Sequence, residues 1–178
     1  MKQPYSKGTI NMYNDLTKQD IQKMQEEIEY RKVTLRYELL EEVKRTRAFG
    51  DLSENFEYKE AKRKKNQNES RIRYLTNMIK TANVIDTDSA PDAVGLYDLV
   101  DCYMTDIEEV MQLRIVTTVR NDAGSGLISN ESPIGKKLLG AKLGDVVEID
   151  SPDGKYDIEI RAIKKADSDD IDAPINKY

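Results

Sequence analysis

The 178-residue sequence contains no histidine, no tryptophan and only one cysteine, Cys102. Without histidine there can be no Ser-His-Asp or Cys-His nucleophile system, no HExxH zinc site and no imidazole base that titrates near neutral pH. A single cysteine excludes an internal disulfide and a four-thiolate zinc site, which is typical of a reducing compartment, and we expect the cytoplasm. Any chemistry must therefore depend on carboxylates, amines, hydroxyls or a partner molecule.

Long apolar runs are also absent from the sequence. No stretch approaches the roughly 20 apolar residues that a membrane-spanning helix needs, and the polar residues 1–4 do not resemble the start of a signal peptide. We therefore expect a soluble chain with no membrane partner. Apolar residues make up 38% of the sequence and charged residues 34%, a composition that favours an elongated, helix-rich shape over one compact globule.

The distributions of charge and of glycine and proline divide the chain into two parts. Residues 1–83 carry 18 basic and 13 acidic side chains, whereas residues 84–178 carry 10 basic and 20 acidic ones. Between Leu16 and Asn83 there is no proline and only one glycine, Gly50. We predict an α+β protein with a helical domain over 1–83, a small mixed domain over 84–165 and an acidic flexible tail over 166–178.

The first domain is predicted to be an antiparallel hairpin of two long helices that reverses at Gly50. Thr17, with Asp20 three residues later, predicts the N-terminus of a helix that runs to about Phe49. One stripe of this helix carries Ile21, Met24, Ile28, Leu35, Leu39 and Val43. The second helix has a coiled-coil seam with spacings of three and four at Tyr58, Ala61, Lys65, Asn68, Ile72, Leu75, Ile79 and Ala82. Its two polar members, Lys65 and Asn68, should weaken the seam, although a polar seam residue can also fix the register.

The second domain alternates short strand patterns with turn signals. Ser132-Pro133 predicts the start of a short helix, and Gly140 predicts its end. A turn over 151–154, with a proline and a glycine, predicts a hairpin. The expected strands cover 97–104, 111–119, 146–150 and 155–163, with a loop over 121–126 and a helix over 132–139.

Two acids at the predicted bend, Asp51 and Glu54, are the candidate functional groups. If the second helix starts here, both carboxylates lie on one side of its first turn and could share a divalent ion. The spacing also fits N-terminal capping, which we consider the better explanation from spacing alone and which also suits Ser53. Two carboxylates would hold Mg²⁺ poorly by themselves, so a metal role requires a partner that supplies more ligands.

A basic stretch surrounds the predicted bend. Residues 44–73 contain ten basic and five acidic side chains. Such an excess suits a phosphate backbone, while the alternative is a solvated flank of a coiled coil.

Two sequence segments resemble the bacterial transcript-cleavage elongation factors GreA and GreB. The first is Gly50-Asp-Leu-Ser-Glu-Asn-Phe-Glu-Tyr58, followed by Arg71-Ile72 and Ala82-Asn-Val-Ile-Asp86. The second is Gly126-Leu-Ile-Ser129, followed by Ser132-Pro-Ile-Gly135 and Gly144-Asp-Val-Val-Glu148. The resemblance implies a coiled-coil hairpin followed by an FKBP-like domain, over nearly the whole chain.

The resemblance also implies a function and its site residues. The hairpin would enter the secondary channel of RNA polymerase while the FKBP-like domain grips the rim. There Asp51 and Glu54 would be the catalytic and metal-binding residues, holding Mg²⁺ jointly with the polymerase for the cleavage of backtracked RNA. Arg47 and Lys62 would contact the 3′ end of the nascent RNA. The chain would then be a monomeric accessory factor rather than an enzyme, and its basic excess favours the GreB type.

The sequence differs from the family pattern at two positions near the bend, and two other functions are compatible with the same fold. Phe56 stands where the family usually has alanine, and Lys59 where it often has histidine. A relative of the same fold could block the channel and inhibit transcription without cleavage, although inhibitory relatives tend to carry more acids at the bend. An FKBP-like fold also suggests a prolyl isomerase, but the second domain has no Phe or Trp to line a proline pocket.

Overall fold

The computed structural model describes residues 14–48, 55–151, 154–167 and 174–176. The chain forms two compact units. Among the described residues, the first unit contains Asn14 and Ile21–Asn83, and the second combines Asp15–Asp20 with the chain from Val84 onward. The predicted α+β class, with a helical hairpin followed by a sheet, is confirmed. None of the described helices is both long and apolar enough to cross a bilayer.

The first arm of the hairpin is helical in three consecutive pieces: α1 (Lys18–Tyr30), a π-helical segment (Arg31–Leu35) and α2 (Arg36–Arg47). Its predicted start is confirmed, because the amide of Asp20 donates to Thr17 Oγ1 and the amide of Thr17 donates to Asp20 Oδ2, both at 3.1 Å. The π-helical segment was not predicted. The stripe is buried at Met24 and half-buried at its other positions, Ile21, Ile28, Leu35, Leu39 and Val43.

The second arm is one continuous helix, α3 (Phe56–Lys80), whose buried residues are Ala61, Asn68, Arg71, Ile72 and Leu75. Four of these five residues, all but Arg71, belong to the predicted seam of eight, and the other four seam positions are half-buried. Placing Ala82 on the helix was wrong, because the backbone leaves helical geometry at Thr81 and Ala82 begins β2 (Ala82–Val84). Strands β1 (Asn14–Leu16) and β2 form a two-stranded sheet.

The second unit is built on a five-stranded sheet. Its strands are β3 (Leu99–Met104), β4 (Glu109–Val116), β5 (Leu127–Ser129), β6 (Val146–Ser151) and β7 (Gly154–Lys164). They lie in the order β5-β4-β3-β7-β6, and within this sheet only the β4–β5 pair is parallel. Four of these strands were predicted to within a few residues. The three-residue β5 is too short to show a periodic pattern of its own.

The core of this unit forms because alternate residues of the strands point to one face of the sheet. In β3 these are Val100, Cys102 and Met104, which pack in a cluster with Ile158 and Leu138. Burial raises the pKa of the Cys102 thiol to about 11, with a further contribution from the neighbouring Asp101.

Helix α4 (Pro133–Leu138) confirms the predicted short helix of the second unit. Its N-cap is Ser132, whose Oγ accepts from the amide of Gly135 at 3.0 Å, and Pro133 occupies its first turn.

One predicted strand boundary in the second unit differs from the structure. Tyr97 is not part of β3, because its φ of 68° is left-handed and its ring is buried ahead of the strand.

The flexible tail over 166–178 stays a prediction, although two of its described amides are hydrogen-bonded. The amide of Ala166 donates to Asp98 Oδ1 at 2.9 Å, and that of Asn176 to the carbonyl of Val119 at 2.8 Å.

Candidate functional site

The two ends of the hairpin arms are tied together by one side chain. Asn55 is the N-cap of α3, and its Oδ1 accepts from the amide of Tyr58 at 2.9 Å. Its Nδ2 donates to the carbonyl of Thr46, in the last turn of α2, at 3.0 Å. The same amide group therefore starts one helix and satisfies a free carbonyl at the end of the other.

Thr46 is positioned for this contact by its own burial. Its side chain is inaccessible to solvent, and its Oγ1 donates back to the carbonyl of Glu42 at 2.9 Å. Sequence reasoning missed both Asn55 and Thr46. Asparagine is a preferred N-cap residue, and this preference could have predicted the role of Asn55. The capping prediction was instead based on the acids before it.

The predicted catalytic and metal-binding residues, Asp51 and Glu54, lie outside the described residues, as does Ser53. What the structure describes is the pair of helix ends on either side of residues 49–54. Since Asn55 is the N-cap of α3, the interpretation of Asp51 or Ser53 as the cap of this helix was wrong.

The predicted RNA-contact residues flank this segment. Arg47 is the last residue of α2, Lys62 lies on α3 two turns after Asn55, and both side chains are exposed. Within the described part of the chain neither makes an ion pair.

Three other basic residues near the bend have acidic partners. Three intrahelical ion pairs with 2.6 Å contacts link Lys44 to Glu41, Arg45 to Glu42 and Arg63 to Glu60. Arg45 lowers the pKa of Glu42, chiefly through the hydrogen bond between them, and Arg63 does the same for Glu60. A window of 41–73 includes Glu41 and Glu42 and holds ten basic and seven acidic residues. The predicted basic excess is therefore smaller around the bend than the narrower window indicates.

A second polar group lies midway along the hairpin, where the arms exchange hydrogen bonds. Arg31 Nη1 donates to Asn68 Oδ1 at 3.1 Å, and Asn68 Nδ2 donates to the carbonyl of Arg31 at 3.2 Å. Glu27 accepts from Arg31 Nε at 2.7 Å and from Arg71 Nε at 3.0 Å. Burial opposes ionisation of Glu27, but the bonds from Arg71 and Arg31 outweigh it and lower its pKa. The expected polar position Asn68 thus has a hydrogen bond at both ends of its amide and is not a simple defect in the seam.

The second unit contains a buried charge that the spacing of Thr17 and Asp20 did not predict. Arg120 Nε pairs with Asp20 Oδ1 at 2.5 Å, and neither side chain is exposed to solvent. The other carboxylate oxygen accepts from Tyr97 Oη at 3.1 Å and from Thr117 Oγ1 at 3.0 Å. Asp20 is therefore a structural carboxylate and is not available for chemistry.

The described residues do not form a metal site by themselves. Across these parts of the chain, no three acidic, cysteine or histidine residues come together in a group that could hold an ion. Carboxylates at the bend are hard oxygen donors of the kind that Mg²⁺ prefers, but that ion wants six oxygen ligands. The chemistry of the donor set thus fits Mg²⁺ only if another molecule completes the coordination.

Comparisons with known proteins match both parts of the chain. Residues 14–84 match the family model described as "Transcription elongation factor, N-terminal", and residues 88–165 match "Transcription elongation factor, GreA/GreB, C-term". The transcription elongation factor GreA of Clostridium kluyveri is 42% identical over 84% of this chain and 95% of its own length. GreA of Thermoanaerobacter pseudethanolicus is 43% identical over 84% of this chain and 96% of its own.

Solved structures with similarity to this chain include a GreA factor homologue, Gfh1 of Thermus thermophilus, with 24% identity and a TM-score of 0.40 over 86% of this chain and 99% of the other. A GreA/GreB elongation factor from Nitrosomonas europaea has 17% identity and a TM-score of 0.39, covering 86% of this chain and 98% of the other. The curated relatives named above are GreA proteins, so the preference for the GreB type that we drew from charge is not supported.

Proposed function

The chain belongs to the GreA/GreB family of transcription elongation factors, and from that premise we propose that it stimulates the cleavage of backtracked RNA by RNA polymerase. As a GreA-type factor it acts on the polymerase as an accessory protein. The finer proposal is that the helical hairpin enters the secondary channel and the sheet unit holds the channel rim. The bend would then reach the polymerase active site.

Asp51 and Glu54 are the residues that we propose for the chemistry. Their carboxylates would complete the coordination of an Mg²⁺ ion held mainly by the polymerase, and the free chain would bind none. In two-metal phosphoryl transfer, bound ions activate a water molecule and stabilise the leaving oxygen. The task of this chain is to deliver two negative oxygens to that centre, with Ser53 between them as a candidate hydrogen-bonding partner for the water.

Arg47 and Lys62 are proposed to hold the displaced RNA. A guanidinium and an ammonium group on either side of the bend can neutralise two phosphates of the extruded 3′ segment. Both are exposed and make no ion pair within the described residues, in contrast to Lys44, Arg45 and Arg63.

The observation that carries this proposal is the tie between Asn55 and Thr46. It brings together the described end of α2 and the described start of α3, on either side of residues 49–54. Such a closed end offers a fixed support for two acids. A frayed pair of helix ends would spread them over many conformations and lose the advantage of positioning.

The test is RNA cleavage in backtracked elongation complexes with the wild type, the double variant Asp51→Asn/Glu54→Gln and the control Glu38→Gln. Glu38 is an exposed acid of α2, so its neutralisation changes charge without touching the bend. We expect the wild type and control to accelerate cleavage equally and the double variant to be inactive. Equal cleavage by all three, or inhibited transcript synthesis without cleavage, would overturn the proposal.

A further inference from the structure

Asn68 makes a two-point contact with a single residue of the opposite arm. It is 3% exposed, yet both ends of its amide are satisfied, one by the Arg31 guanidinium at 3.1 Å and the other by the Arg31 carbonyl at 3.2 Å. An apolar residue at this position could pack at several registers. The amide can be satisfied only where it meets Arg31.

The carbonyl that Asn68 engages is the one at which helical geometry changes. The amide of Arg36 donates to the carbonyl of Arg31, five residues before it, instead of to the residue four before as in an α-helix. A π turn contains one residue more than an α-helical turn. The helix beyond it is therefore displaced by one residue, about 100° of rotation and 1.5 Å of rise, from the path of an uninterrupted α-helix.

Ion pairs between the arms flank this point on both sides. Before the π-helical segment, Arg71 Nε and Nη2 bond to the two oxygens of Glu27 at 3.0 and 3.1 Å. At its end, Arg36 Nε and Nη2 bond to the two oxygens of Glu69 at 2.7 and 2.8 Å. These bidentate pairs lie on the two sides of the extra residue, but neither of them engages the carbonyl at which the π turn forms.

From this geometry we infer that Asn68 is a positioning residue for the bend. By holding the carbonyl of Arg31, it keeps the extra residue in the π turn and sets the register of α2 against α3. That register places the carbonyl of Thr46 within 3.0 Å of Asn55 Nδ2. The functional part of this inference rests on the proposed delivery of Asp51 and Glu54 to the polymerase.

The unfolding temperature of an Asn68 variant distinguishes a positioning residue from one that only stabilises the hairpin. A polar residue in a coiled-coil seam generally lowers stability relative to leucine while it selects one register. The variant Asn68→Leu should therefore unfold at the same temperature as the wild type or a higher one, and still lose the correct register. A residue with a merely structural role would instead lower the unfolding temperature when replaced.

The register can be measured directly by pulsed electron resonance between nitroxides attached at Glu38→Cys and Lys64→Cys, exposed positions on α2 and α3. Cys102→Ala removes the native thiol in every sample. We expect a shift of several Å in the main distance for Asn68→Leu and no shift for Asn66→Leu, a matched control at an exposed asparagine of the same helix. An unchanged distance in Asn68→Leu would overturn the inference.

The functional arm measures the cleavage rate at saturating factor together with the affinity for polymerase. We expect Asn68→Leu to lower the saturated rate by about 100-fold, the loss that a 1 Å misplacement can cause, while its affinity stays within about twofold of the wild type. Full cleavage activity in Asn68→Leu would contradict the inference and leave the proposed function intact. If the wild type itself stimulates no cleavage, the proposed function fails, and the distance measurement still decides the register.

Discussion

At the scale of the residue, Asp20 shows how one side chain can serve two structures. Its backbone and one oxygen complete the capping box with Thr17, and its other oxygen neutralises Arg120 in the core of the second unit. The spacing of Thr17 and Asp20 predicts the first role. It cannot predict the second, because the partner lies 100 positions away along the chain.

Replacing Asp20 by asparagine should destabilise the second unit by about 3–5 kcal/mol, the usual cost of removing one partner from a buried ion pair. The change leaves the guanidinium of Arg120 in the core without its carboxylate. Urea denaturation followed by circular dichroism measures the loss. The matched control is Asp92→Asn, which breaks the exposed pair with Lys142 and should cost less than about 1 kcal/mol. Equal losses for the two variants would contradict this account.

Glu27 should make the hairpin sensitive to acid. Its pKa is lowered from the ordinary value of 4.5 by Arg71 and Arg31 against an opposing effect of burial. A carboxylate with a depressed folded-state pKa stabilises the protein above its unfolded pKa, and this contribution disappears as the pH falls through the folded-state value. Unfolding temperatures measured from pH 6 down to pH 3 should therefore fall less steeply for Glu27→Gln than for the wild type. Parallel curves would show that Glu27 makes no such contribution.

At the scale of the element, the ends of α2 and α3 depend on one asparagine. Asn55→Ala removes both the cap on Tyr58 and the bond to Thr46, so we expect a loss of about 1–2 kcal/mol in hairpin stability. Amide hydrogen exchange should rise first around residues 55–59. The control is Asn66→Ala, at an exposed position in the interior of the same helix, which should change stability by less than about 0.5 kcal/mol. Similar effects for both variants would remove the special role of Asn55.

Helix α4 depends on a close backbone approach at Gly135. A Cβ built there would lie 2.0 Å from the carbonyl oxygen of Ser129, which cannot yield as a flexible side chain would. Gly135→Ala should therefore destabilise the second unit by about 1–3 kcal/mol through overpacking. Gly124→Ala, whose Cβ would meet nothing closer than 3.5 Å, should be tolerated. Thermal unfolding of the two variants compares them directly, and equal midpoints would refute the steric explanation.

Elements with a periodic pattern or a capping residue in their own sequence could be predicted. Features that involve contacts with residues far away in the sequence could not. The seam of α3 and the Ser132 cap of α4 are local patterns, so they appear where expected. The π-helical segment is contacted by an asparagine 37 positions away, and the left-handed Tyr97 has hydroxyl contacts with the distant residues Asp20 and Thr117. These features carry no repeating signal in their own stretch of sequence.

At the scale of the whole molecule, the family resemblance covers both units, since residues 14–84 and 88–165 match its two models. The candidate site could be predicted as far as its residue types and the supporting hairpin. What sequence could not supply was the support itself, namely the Asn55–Thr46 tie and the Arg31–Asn68 contact, because each joins residues of different arms.

We propose that the bend of the hairpin reaches the metal centre of RNA polymerase. Iron substituted for the active-site magnesium of the polymerase generates hydroxyl radicals, which cut a bound protein only at residues close to the iron. With this chain bound to an iron-loaded elongation complex, we expect cuts confined to residues around 48–55. Cuts confined to residues 84–165, or no cuts at all in a complex shown to contain the bound chain, would contradict it.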